Sequence, residues 1–192
     1  MRLFFAIALD DAVRAATARV AADLQERLAR AGAARAVKWV EPENLHVTLR
    51  FIGEVDDGRA ARLLDIVAAP LDAGAFGLRV GGAGCFPEHG APRVLWAGVQ
   101  EGADRARAAF DTLDRRLAPL RLERELRPYT PHLTLGRVRE IERAVGTRLR
   151  EWLAEAPPDL GALQVDGLTL YRSQLSAKGP RYEALKVIPL HP

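Results

Sequence analysis

Cysteine is almost absent: Cys85 is the only one in 192 residues. That excludes an internal disulfide framework and a metal cluster built on several thiolates, and it points to a reduced, cytoplasmic setting. Long hydrophobic runs are missing as well. The run from Leu3 to Leu9 is far short of the roughly 20 residues a membrane helix needs. It ends in Asp10-Asp11 without a small-residue cleavage site, so it does not read as a secretory signal. Charge of one sign is scarce too. There are 28 basic and 25 acidic residues, a net +3, which permits an anionic partner but does not suit a nucleic-acid coat protein. Three Trp, three Tyr and six Phe are too few for an extended base-stacking platform. Lysine is replaced almost wholly by arginine, three against 25. The plain reading is compositional bias, and the functional one is phosphate recognition by planar guanidinium forks.

What is present is an ordinary globular composition, 48% hydrophobic and 28% charged. Apolar residues are spread along the whole chain, which excludes general disorder. The length fits one domain with a core that needs no staple. Arg2 to Leu9 reads as a strand buried on both faces. Asp10 or Asp11 caps a helix whose stripe is Ala16, Val20, Leu24 and Leu28, closed by Gly32. A strand from Leu45 to Ile52 follows. Asp56 then opens a helix with Ala60, Leu63, Leu64 and Val67 on one face, and a strand covers Phe76 to Val80. The glycine-rich stretch Gly81 to Pro92 reads as a connection. Beyond it the order repeats: strand Arg93 to Val99, helix Ala106, Phe110, Leu113 and Leu117, strand His132 to Val138, helix Ile141, Val145, Leu149 and Trp152. Leu163 to Tyr171 and Tyr182 to Ile188 close the chain as strands. Pro157-Pro158 and Lys178-Gly179-Pro180 mark turns.

The repeat is visible in residues, not only in elements. HVTLRFIGEV (46–55) aligns with HLTLGRVREI (132–141) with four identities and three aliphatic exchanges. Two such halves are expected to pack about a pseudo-two-fold axis. The expected fold is therefore α+β and bilobal: two pseudo-symmetric β-α-β-α-β halves, with largely antiparallel sheets flanking a central cleft. The lobes would span roughly 1–84 and 93–192, as one domain over 1–192.

Side chains alternate along a strand, so His46 and Thr48 share a face, roughly 6–7 Å apart, while Val47 and Leu49 point into the core. His132 and Thr134 do the same, backed by Leu133 and Leu135. Facing each other, the two motifs offer two imidazoles and two hydroxyls. Imidazole titrates near pH 6.5, so one ring can take a proton from water while the other protonates a leaving oxygen. In-line displacement at phosphorus needs such groups on opposite sides, and threonine hydroxyls can hold the non-bridging oxygens. Zinc is a weaker reading, because no carboxylate or Cys shares these faces. No G-x-S-x-G elbow is present, and Gly81-Gly82-Ala83-Gly84 lacks the Lys-Ser/Thr of a P-loop. His89 and His191 read as surface residues.

The motifs His46-Val47-Thr48-Leu49 and His132-Leu133-Thr134-Leu135 resemble those of the 2H phosphoesterase superfamily. The flanking segments RLFFAIAL, Glu43-Asn44-Leu45, RVLWAGV, Pro131-His132 and LYRSQLSAKGPRYEALK are similar to its RNA 2′,3′-cyclic phosphodiesterase branch, also called 2′-5′ RNA ligase. The resemblance covers nearly the whole chain. It implies hydrolysis of RNA 2′,3′-cyclic phosphate ends to 2′-phosphomonoesters, a slow reverse 2′-5′ joining, a monomeric cytoplasmic enzyme, and no metal or nucleotide cofactor. It makes His46 the proton donor and His132 the proton acceptor, a choice the symmetric repeat cannot make by itself. Thr48 and Thr134 would hold the phosphate. Arg137 also matches the branch, but strict alternation turns it away from His132, so a role there requires a bulge or a place at the strand end. Arg50 has the right parity, about 13 Å along its strand. A small cyclic phosphate as substrate, or RNA binding without catalysis, are the other readings.

Overall fold

The computed structural model describes residues 1–123, 128–157, 159–176 and 179–191. Pro158 and Lys178, expected in turns, lie outside the described residues. The chain opens with β1 (Arg2–Ala8) and α1 (Asp11–Arg30). Asp10 caps α1 by accepting from the Val13 amide at 2.8 Å, and Gly32, at φ +75°, follows its end. Val13, Val20, Leu24 and Leu28 form its buried stripe. β2 (Val37–Trp39), a 3-10 turn at Pro42–Asn44, and β3 (His46–Glu54) come next, followed by α2 (Asp57–Ile66), β4 (Leu71–Gly74) and β5 (Phe76–Phe86). Asp56 caps α2 through the Arg59 amide at 2.7 Å. Ala60, Leu63 and Val67 are buried there, but Leu64 is exposed, at the margin of the apolar face and not on it.

The second half holds β6 (Val94–Glu101), α3 (Ala103–Leu117), β7 (His132–Val138), α4 (Arg143–Ala154), β8 (Gly161–Val165), β9 (Gly167–Ser176) and β10 (Gly179–His191). Two expectations change. Half of the glycine-rich stretch is strand, because β5 runs on to Phe86 and the true connection is residues 87–93. Gly84 serves packing there: a Cβ on it would fall 2.3 Å from the Trp96 ring that lies across it. The single strand expected from Leu163 to Tyr171 is two, since β8 pairs with β5 and β9 pairs with β1 and β10. The chain changes partner at Asp166.

The strands form one ten-stranded sheet in the order β4-β10-β9-β1-β3-β7-β6-β5-β8, with β2 on β7. Among the described residues all pairings are antiparallel except β4 with β10. The fold is thus α+β and mostly antiparallel. Strand neighbours cross the chain halves: β5 joins β6 and β8, β9 joins β1, and β10 joins β4. Val47 and Leu49 of β3 and Leu133 and Leu135 of β7 are buried, so both motif strands rest on packed core. Among the described residues no helix is long and apolar enough to cross a membrane.

Candidate active site

The two motif strands meet at one residue pair, Val47 opposite Leu133. Continuing that antiparallel register sets His46 beside Thr134 and Thr48 beside His132. The pseudo-two-fold axis therefore passes through the Val47–Leu133 pair, and all four polar side chains fall on one face. Beyond this pair the strands part, and a cleft of about 710 Å³ opens, lined by Thr48, His132, Thr134 and Arg137 among others.

Both imidazoles are gripped in the same way. His46 Nδ1 lies 2.7 Å from the carbonyl of Asn44, and His132 Nδ1 lies 2.7 Å from the carbonyl of Thr130. A carbonyl only accepts, so in each ring Nδ1 carries the proton and donates it. That leaves Nε2 of each neutral ring as the nitrogen available for proton transfer. His46 Nε2 is 2.9 Å from Thr48 Oγ1, whose hydroxyl donates to the neutral ring.

Their surroundings differ. His46 sits in an aromatic nest: Phe4 at 4.9 Å between ring centroids, Tyr182 edge-on at 5.3 Å, and Tyr171 at 6.4 Å. Burial holds its pKa below the ordinary 6.5. The Asn44 carbonyl opposes that fall, and the neighbouring His132 charge adds to it. Burial also raises the Tyr182 phenol, so it stays neutral. The Asn44 side chain donates to the Pro180 carbonyl at 2.8 Å, tying the carbonyl that orients His46 to the β9–β10 hairpin that carries both tyrosines. His132 has one aromatic neighbour, Phe86, edge-on at 5.3 Å.

A bulge decides where the two candidate arginines point. On β7, Thr134 pairs with Trp96 but Gly136 pairs with Leu95, so Leu135 is the extra residue. On β3, Thr48 pairs with Ala6 but Arg50 pairs with Phe5, so Leu49 is extra. The same irregularity thus recurs at the third position after each motif histidine, and it inverts the alternation beyond it. Arg137 is turned onto the His–Thr face and lines the cleft. Arg50, whose parity looked correct, is turned inward. It is 6% exposed, pairs with Asp114 at 2.9 Å, and donates to the Glu123 carbonyl. Its guanidinium borders the floor of the cleft and is already engaged.

Phe51 occupies the repeat position equivalent to Arg137 and is 53% exposed on the same face. Sequence reasoning passed it over, although the repeat alignment sets it against Arg137. The aromatic nest and the Asn44 link left no local signal, because they come from strands distant in sequence. His89 and His191 are exposed and do not line the cleft. Among the described residues no three His, Cys, Asp or Glu side chains gather as a metal site would require.

A family model for LigT-like phosphoesterases matches the chain twice, over residues 12–96 and 98–182, once for each repeat. The chain belongs to that family. It is 36% identical over 191 residues to an RNA 2′,3′-cyclic phosphodiesterase of Archaeoglobus fulgidus, covering 97% of this chain and 99% of that protein. It is also 36% identical to the protein of that name from Methanothermobacter thermautotrophicus, over 99% of each chain. Among solved structures, one from Thermus thermophilus superposes with a TM-score of 0.77 at 31% identity, covering 99% of this chain and 98% of that one. E. coli LigT in its apo form superposes at 0.72 with 26% identity, over 100% of this chain and 98% of that one.

Proposed function

We propose that this protein hydrolyses RNA 2′,3′-cyclic phosphate ends to 2′-phosphomonoesters, with His132 as proton acceptor and His46 as proton donor. The observation that carries the reading is the register at Val47–Leu133. Two carbonyl-anchored imidazoles and two threonine hydroxyls thereby share one face, with Thr48, His132 and Thr134 lining the cleft and His46 held behind Thr48. Relatives of that named activity over nearly the full length support it.

In the reaction, His132 Nε2 takes a proton from water as the water oxygen attacks phosphorus. The bond from phosphorus to O3′ breaks, and the proton on His46 Nε2 passes to O3′. The phosphate stays on O2′, and a 3′-hydroxyl is released. Thr48, Thr134 and Arg137 bind the non-bridging oxygens, whose charge rises in the transition state. Replacing water by a 5′-hydroxyl gives the 2′-5′ joining reaction by the same displacement. The low pKa of His46 makes its protonated form a strong acid, and the anionic phosphate arriving beside it raises that pKa and so loads the proton. The symmetric motifs suit either direction of proton flow. The family resemblance favours His46 as donor, and His132, which lines the cleft with its Nε2 in no hydrogen bond among the described residues, is placed to take a proton from water. The protein acts as a cytoplasmic monomer with one domain over 1–192.

Alanine at both histidines tests this. Each proton transfer is worth roughly 10²–10⁴-fold. The two belong to one displacement, so His46→Ala, His132→Ala and the double variant have similarly low rates. Losses that multiply in the double variant contradict the concerted scheme.

A further inference from the structure

Past the phosphate position the cleft continues along the upper part of β7, where its wall is Phe86, Pro87, Arg93, Val94 and Arg137. Arg93 has a fixed backbone. Its amide donates to the Phe86 carbonyl at 2.8 Å, and its own carbonyl accepts from the Val138 amide at 2.9 Å. Val94, the next residue, stands directly opposite Arg137. The loop that leads to Arg93 is held from behind by Arg150 of α4, which donates to the carbonyls of Pro87 (3.0 Å), Glu88 (2.8 Å) and Gly90 (2.6 Å).

Two guanidiniums therefore rise from adjacent points of one wall. Neither Arg93 nor Arg137 has an ion pair or hydrogen-bonded side-chain partner among the described residues, and no described Asp or Glu lines the cleft. Elsewhere the chain pairs its arginines readily, as with Arg27, Arg79 and Arg172. Neighbouring like charges repel, so an unpaired couple on a cleft wall is stable only at a cost that a bound anion removes. The phosphate under attack already has the two threonines and Arg137, which leaves Arg93 without an anion. A terminal nucleotide bearing a cyclic phosphate offers one other place for an anion, the phosphate on its 5′-oxygen.

We infer that Arg93, adjacent to the Arg137 that holds the phosphate under attack, forms a subsite for the phosphodiester that joins the terminal nucleotide to the one before it. The enzyme then reads two nucleotides of an RNA strand. This rests on the cyclic phosphodiesterase reading above.

The test compares three substrates: adenosine 2′,3′-cyclic phosphate, the same compound with a 5′-phosphate, and an ApA dinucleotide with a 2′,3′-cyclic end. The wild type has its lowest KM on the dinucleotide. Arg93→Ala raises that KM about tenfold to a hundredfold, the loss of a charged hydrogen-bonded contact, while kcat and turnover of the unphosphorylated mononucleotide change little. The slope of log KM against log salt falls by about 0.7, as for one single-strand phosphate contact. Arg93→Lys restores part of the loss, keeping charge without the fork. Equal losses on dinucleotide and mononucleotide, or no loss on either, overturn the subsite. A 5′-phosphate that lowers KM as far as the second nucleotide does keeps the anion site and overturns the two-nucleotide reading. If the wild type cleaves none of the three, the underlying reading fails instead.

Discussion

His46 and His132 share a side chain, a motif and an anchoring carbonyl two residues back, and differ in how much water reaches them. The difference has a sign. Burial keeps the His46 pKa below 6.5, so the unfolded chain binds a proton that the native one rejects. Stability is whole above that value and falls as pH drops through the range below it. An NMR titration of the free enzyme should give the His46 ring a midpoint below 6.5, moving upward when a 2′-phosphate product binds. A midpoint at or above 6.5 without ligand contradicts the buried-donor assignment. If His46 is the donor, its limb of the kcat/KM bell lies in the same low range, since that profile reports the free enzyme. The threonines make a simpler case. Thr48→Val and Thr134→Val keep the strand and remove one hydroxyl from a charged oxygen, so each should lower kcat/KM by about tenfold to a hundredfold. Wild-type rates in both would mean that this face does not hold phosphate. The four motif residues were legible in sequence because alternation and duplication are local signals. The inward turn of Arg50 was not, because the bulge at Leu49 shows only in pairing with β1.

At the level of elements, the helices were readable from their stripes and from the capping aspartates Asp10 and Asp56. Strand ends were less so. β5 continues through glycines that read as a turn until the Trp96 ring across Gly84 is seen, and the partner change at Asp166 depends on strands far away in sequence. The loop between β5 and β6 shows what such long-range ties do. Arg150 satisfies three of its carbonyls, and the loop runs from Phe86, the end of β5 that stands edge-on to His132, to Arg93. Arg150→Ala leaves those carbonyls to water and should cost on the order of 1–3 kcal/mol. Thermal melting measures the loss, and hydrogen exchange should rise locally over residues 87–93. Unchanged exchange in that loop would show that it holds its shape without the guanidinium.

Over the whole molecule, one duplicated unit is used twice and then made unequal. The family model matches each half, the bulges recur at Leu49 and Leu135, and the axis passes between Val47 and Leu133. The two positions that follow the bulges diverge, with Phe51 on one side and Arg137 on the other, and so do the environments of the two histidines. In the proposed mechanism pseudo-symmetry supplies the paired acid and base, and its breaking gives the cleft a direction. The crossing of β5, β9 and β10 between chain halves binds the two sides into one body, and sequence alone could not show it because each pairing joins distant segments. The central claim is a two-histidine displacement that expels O3′ without a metal. Product analysis on an RNA oligonucleotide ending in a 2′,3′-cyclic phosphate, with excess EDTA present, tests it most directly. The account predicts a 2′-phosphomonoester with a free 3′-hydroxyl, formed at an undiminished rate. A 3′-phosphomonoester, or turnover lost to EDTA and restored by zinc or magnesium, would contradict it.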